Sequence, residues 1–342
     1  MSAGSLYDQL QRENKRASRF LLIGSVLIAA VMVWVVAGAA GVPVLDPIVG
    51  VSVTAAGTAV GLLFLLAAVR SGPSIALRAA KAREVPREAA PELHNLFDEV
   101  CVSAGIMGTK PKLYVVDDPA PNAFATGRSL EDSHVAVTTG LIERLPRYEL
   151  RAVLAHEVAH ILNDDIRTVT LAVATAGLVA LLADVLVRFM IFGGGRRGGR
   201  SSGGGGGGGA QAIFLILGLF ALILAPLAAQ VIRFAVSRQR EYLADATAAD
   251  LLRDPQSMVN ALRRIDEDHT SLREFEVATA HLWFEEPNDT KAENSAAKMA
   301  RRFATHPSIQ ERVQRLATLN AGTVATDAPL PPPPPPESRG YE

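Results

Sequence analysis

Four stretches of the chain are apolar over membrane-spanning lengths, and the charged residues lie between them. Phe20 to Val42 and Pro47 to Val69 contain no charge at all, and each exceeds the roughly 20 residues that cross a bilayer as a helix. Thr168 to Phe192 carries Asp184 and Arg188, spaced to pair along a helix, while Ala210 to Ile232 carries Gln211, Pro226 and Gln230. Each of these last two is either a full span or a segment packed partly against protein. The pattern predicts about four transmembrane helices. Arg12, Lys15, Arg16 and Arg19 before the first could belong to a secretory signal, but the apolar run is longer than the usual ~7–15 residues, so an uncleaved anchor is expected.

Basic residues orient these spans. The link from Ala40 to Asp46 has no Lys or Arg, whereas Arg70, Arg78, Lys81, Arg83 and Arg87 follow the second span. Both termini and the polar parts are therefore expected on the cytoplasmic side of the inner (plasma) membrane in a multi-pass protein. Arg196, Arg197 and Arg200, between the third and fourth segments, run against this assignment.

The polar regions show shorter periodicities. Pro91 to Ala104 reads as a helix with Leu93, Leu96, Phe97 and Val100 on one face and Gly105 as its stop. Lys112 to Asp117 and His134 to Thr138 read as strands. Arg147 to Asn163, entered at Pro146, reads as a helix with a core-facing side, and further helices are expected over Pro255 to Asp268 and Ser308 to Leu319. The expected fold is a mostly α membrane protein whose α+β soluble domain carries a small sheet. The divisions are an N-terminal segment (1–19), two membrane helices (20–69), the first part of the soluble domain (70–165), two more membrane segments (166–232) around a glycine-rich link (193–209), the second part (233–320), and a proline-rich disordered tail (321–342).

Chemistry enters through His156, Glu157 and His160, an H-E-x-x-H pattern inside the Arg147 to Asn163 helix. Residues four apart share a helix face, so both imidazoles can reach one ion. Glu157, offset by about 100°, stays off the metal but close enough to act as general base on a polarised water. The pattern arises by chance in on the order of one chain in a hundred, and its seat on a helix with a core-facing side lowers that chance. A catalytic zinc takes three protein ligands, and Glu241 is the candidate third, with Asp245 one turn on to support a ligating His. Taken alone, Glu241 and Asp245 read, by roughly four to one, as a solvated face beside Arg238 and Arg240 rather than as a metal site.

Together, the H-E-V-A-H at 156–160, E-Y-L-A-D at 241–245, P-N-A-F-A-T-G at 121–127 and T-H-P at 305–307 resemble the HtpX-type membrane zinc metalloproteases, kin of the CAAX prenyl proteases. The resemblance runs from the first apolar segment to about Leu319, leaving out the glycine run and the proline tail. It implies a gluzincin-like domain between membrane helices with one Zn2+ per chain, Glu241 as third ligand and Glu157 as catalytic base. It also implies proteolytic quality control of misfolded or damaged membrane proteins, with a role in stress. Asn122, Ala123 and Phe124 would border the substrate cleft, at an exposed strand edge or in a turn made by Asn122. His306 is a candidate for oxyanion stabilisation or a helix-entry turn, with Arg312 aiding it or the substrate.

Composition agrees with a membrane protein bearing a wet domain, being 49% hydrophobic yet 20% charged. The single cysteine, Cys101, forms no intramolecular disulfide and fits a packed core position in a reducing compartment. The expected partners are protein or peptide substrates and the lipid bilayer, with no nucleic acid; oligomeric state stays open. Two alternatives remain beside quality control: a CAAX prenyl-type endopeptidase with a defined lipidated substrate, and a non-enzymatic scaffold with a structural metal site.

Overall fold

A computed structural model describes residues 47–193, 238–268 and 307–319, with isolated positions elsewhere. The fourth apolar segment, nearly all of the glycine-rich link, His306 and most of the proline tail lie outside the described residues, and the first apolar segment is described only in scattered positions. The chain divides into two compact units, one of residues 1–14, 71–170 and 236–342, the other of residues 15–70 and 171–235.

In the first unit, a four-stranded mixed sheet has the order β1-β2-β4-β3, formed by Arg83–Glu84 (β1), Lys112–Val116 (β2), Ala123–Gly127 (β3) and Ser133–Thr138 (β4). β2 and β4 run parallel, Lys112 opposite His134 through Val116 opposite Thr138. β3 folds back antiparallel on β4, with Ala123 opposite Val137 and Thr126 opposite His134. The expected strands are present, but the exposed edge expected near Asn122 is not. β3 is the outer strand of the sheet, yet all five of its residues are buried because it packs against the helix that carries the histidines. Its small residues Ala123 and Ala125, which share a core with that helix, allow the close approach.

The helices follow their apolar stripes. With α1 running Pro47–Ala79, α2 is Pro91–Ser103, started by Pro91, burying Leu93, Leu96, Phe97, Val100 and Cys101, and followed by Gly105 at φ 71. A six-residue α3, Thr139–Arg144, was not legible from the sequence; the Thr138 side chain caps it by accepting from the Leu141 N–H. α4, Arg147–Leu162, is buried on almost every side, as expected for a helix that is central to its domain. It packs against α2, β3, α6 (Arg238–Leu252) and α7 (Pro255–Glu267), and α8 (Ile309–Leu319) closes over α6 and α7. One core joins Leu96 and Phe97 of α2, Val153 and Val158 of α4, Val135 and Val137 of β4, Leu262 and Ile265 of α7, and Leu316 of α8.

The second unit takes in the first part of α1 and most of α5 (Asp165–Gly193). Asp46 opens α1, its Oδ1 accepting from Ile48 N and Val49 N at 3.0 and 3.1 Å. α1 does not end with its apolar run at Val69 but continues to Ala79, since a charged residue such as Arg70 does not break a helix; the turn comes at Lys81, with φ 52. Among the described residues α1 is the one helix long and apolar enough to cross a membrane, and its apolar Ile48, Val51, Leu63 and Leu66 face outward. On α5 the expected pair forms, Arg188 Nε donating to Asp184 Oδ2 at 2.6 Å.

Candidate metal centre

Burial of α4 sets the site. His156 is fully enclosed, Glu157 is 2% exposed, and the rings of His156 and His160 stand nearly perpendicular with centroids 4.7 Å apart. Their Nε2 atoms converge to 3.1 Å. α6 brings Glu241 to the same point, Oε1 lying 3.6 Å from His160 Nε2 and Oε2 lying 3.7 Å from His156 Nε2. One donor atom from each of the three falls within 4.8 Å of the others. A tetrahedral cation with bonds of ~2.0–2.1 Å separates its ligand atoms by roughly 3.3–3.5 Å, so two nitrogens and a carboxylate oxygen at these spacings fit a divalent ion.

The far side of each ring is tied to a carboxylate. His156 Nδ1 lies 2.9 Å from Asp245 Oδ1, and His160 Nδ1 lies 3.0 Å from Asp165 Oδ2. A carboxylate only accepts, so each Nδ1 carries a proton and each Nε2 is the nitrogen turned to the shared point, where a metal would take its lone pair. Behind Asp245 sits Arg312, 1% exposed, donating from Nε and Nη2 at 2.9 and 2.6 Å. Behind Asp165 sits Arg240, its Nε 3.6 Å from Oδ1.

These contacts set the protonation of the metal-free centre. Burial raises the Asp245 carboxyl, but the charge and hydrogen bonds of Arg312, with His156, more than reverse this and hold it below the usual range. Burial disfavours the charged form of His160, yet the Asp165 hydrogen bond and the charges of Glu241, Asp165 and Glu157 outweigh it and push the ring up to about 9. Burial raises Glu157 above an ordinary carboxylate, against the pull of the two histidines.

Five of the residues singled out in the sequence, His156, Glu157, His160, Glu241 and Asp245, are thus brought together. Asn122, Ala123 and Phe124 lie at the start of β3, buried against the domain; Asn122 Oδ1 accepts from Ala123 N at 3.0 Å. Arg312, expected to aid His306 or the substrate, is the buried anchor of Asp245, while His306 lies outside the described residues. Asp165 and Arg240 had no local signal. Asp165 follows the helix end, and Arg240 reads as one more charge on a polar helix.

A family model described as Peptidase family M48 matches residues 87–320. The chain belongs to peptidase family M48. Relatives of this M48 protein agree over nearly the whole length. It is 39% identical to a "Protease HtpX homolog" of Listeria monocytogenes over 92% of this chain and 100% of the relative. It is 41% identical to one of Streptococcus thermophilus over 91% of this chain and 99% of the relative. The solved structure of Ste24p from S. mikatae aligns with a TM-score of 0.44 and 18% identity, covering 76% of this chain and 57% of that one. The M48 chain is accordingly a metalloprotease, with the His, His, Glu cluster as its candidate metal site.

Proposed function

We propose that this M48 chain is a membrane-tethered zinc endopeptidase holding one Zn2+ on His156, His160 and Glu241. In this reading it cleaves misfolded or damaged membrane proteins at the cytoplasmic face of the inner membrane. The observation that carries the reading is the convergence of three donor atoms within 4.8 Å with the buried Glu157 next in sequence to His156. Two imidazoles and a carboxylate form a donor set suited to a hydrolytic zinc, which when bound supplies Lewis acidity and lowers the pKa of water towards about 7.

The chain's own residues do the rest. Glu157 takes a proton from the attacking water and later gives it to the leaving amine; a carboxyl raised by burial suits both halves of that exchange. Asp245 and Asp165 hold the histidine rings. His306 is the proposed donor to the oxyanion.

Tethering rests on α1, whose outward apolar side chains suit lipid, and on the basic residues at and after Arg70, which favour the cytoplasmic side. Thr168 to Phe192, Ala210 to Ile232 and Phe20 to Val42 complete a four-span proposal. Purified full-length protein in detergent should cleave casein and a model membrane substrate, and chelator should stop it. Glu157→Gln should keep one zinc and lose cleavage, and Glu241→Ala should lose the zinc. Retained cleavage by the Gln variant would sink the mechanism.

A further inference from the structure

The ring of His160 is backed by Asp165, and Asp165 is flanked by Arg240. We propose that Arg240 is a positioning residue of the metal centre, acting through Asp165 to fix the orientation of His160; the inference rests on the zinc reading above. Arginine is seldom buried without a partner, and Arg240 is 8% exposed. Its Nε lies 3.6 Å from Asp165 Oδ1, an ion-pair contact, while Asp165 Oδ2 lies within hydrogen-bond distance of His160 Nδ1 at 3.0 Å, so the carboxylate has a partner on each oxygen.

Asp165 also opens α5, where the helix N-terminus favours negative charge. The contact with His160 Nδ1 fixes which edge of the ring faces Asp165 and which faces the metal position. The far side of the site repeats the order: Arg312, Asp245, His156.

Sequence adjacency gives the arrangement a further consequence. Arg240 directly precedes Glu241, so a single turn of α6 delivers both a ligand and the clamp on the carboxylate behind another ligand. Without the guanidinium, Asp165 loses the anchor at Oδ1 that keeps Oδ2 against the ring. Partners behind a ligating histidine are worth about 10–100-fold in metal affinity.

The test is zinc affinity of the full-length protein in detergent, by competition with a chromophoric chelator, for wild type, Arg240→Met, Arg240→Lys, Asp165→Asn and the Met/Asn double variant. Arg240→Met and Asp165→Asn should each weaken zinc about 10–100-fold, and the double variant should be no weaker than the worse single, since both break one relay. Arg240→Lys should recover most of the loss, and the metal-free Arg240→Met protein should melt several degrees below wild type, as loss of one partner of a buried ion pair requires. Wild-type or tighter binding by Arg240→Met overturns the proposal, as do multiplying losses in the double variant or a fall in melting temperature with affinity unchanged. A wild-type protein that binds no zinc would overturn the zinc reading itself.

Discussion

Arg264→Ala should destabilise the soluble unit by about 3 kcal/mol without touching the metal site. Arg264 of α7 grips Glu149 of α4 through two bonds, Nε to Oε2 at 2.6 Å and Nη2 to Oε1 at 3.1 Å. The Glu149 side chain is 2% exposed and that of Arg264 13%. Truncating the arginine strands a carboxylate in the core, which costs about 3–5 kcal/mol in buried pairs; the partial exposure of Arg264 lets water in and places this pair at the lower end. In a unit of this size each kcal/mol moves the melting temperature by about 2–4 °C, so the loss should read as roughly 6–12 °C by thermal unfolding. Replacing both partners by apolar residues of similar volume, Glu149→Leu with Arg264→Met, removes the stranded charge and should recover most of the loss. Zinc affinity should hold in both, because Glu149 lies about two turns before His156. A melting temperature within 2 °C or so of wild type for Arg264→Ala, or a double variant as unstable as the single, would refute the reasoning.

Zinc uptake should be coupled to proton release. With His160 raised to about 9 in the metal-free protein, its stabilising contribution is complete below its ordinary pKa of 6.5 and lost as pH rises through 9, and zinc must displace that proton at neutral pH. Apparent zinc affinity should therefore climb with pH up to about 9 and then level off, and calorimetry in buffers of different ionisation enthalpy should show about one proton or more released at pH 7; no release would contradict the His160–Asp165 coupling. Cys101 is fully buried, and burial pushes its thiol up to about 11, so a thiol reagent at pH 8 should label the protein only after denaturation.

Local pattern was enough for the long elements and not for the short or buried ones. α2 and α7 announce themselves because apolar residues recur on one face, α4 because its apolar residues run on through about four turns, and a proline marks each entry. β3 does not, since Ala123 to Gly127 is buried on both faces and shows no alternation, and β1 is only two exposed residues set by pairing with β2. The H-E-x-x-H half of the site is legible because helix geometry alone aligns its residues. Glu241 needed a motif, since its place depends on α6 docking against α4. Arg240 and Arg312 could not be read at all as buried anchors: their helices carry several charges each, and only tertiary packing decides which one turns inward.

Asp165 was hidden for a geometric reason that can be tested. In an unbroken helix the residue five after His160 points about 140° away from it, out of reach. The chain avoids this by ending α4 at Leu162 and turning through Asp164, whose φ is 59, so that α5 begins on Asp165 with its carboxylate swung back to His160 Nδ1. Aspartate tolerates the left-handed conformation and glycine adopts it freely, whereas a β-branched side chain pays about 1–3 kcal/mol there. Asp164→Gly should therefore keep stability within about 1 kcal/mol and zinc affinity unchanged. Asp164→Val should be destabilised and, by shifting the start of α5, should loosen Asp165 from the ring and weaken zinc about tenfold or more. If Asp164→Val bound zinc as tightly as wild type, the turn would not be what sets Asp165, and the relay behind His160 would have to be positioned by α5 packing alone.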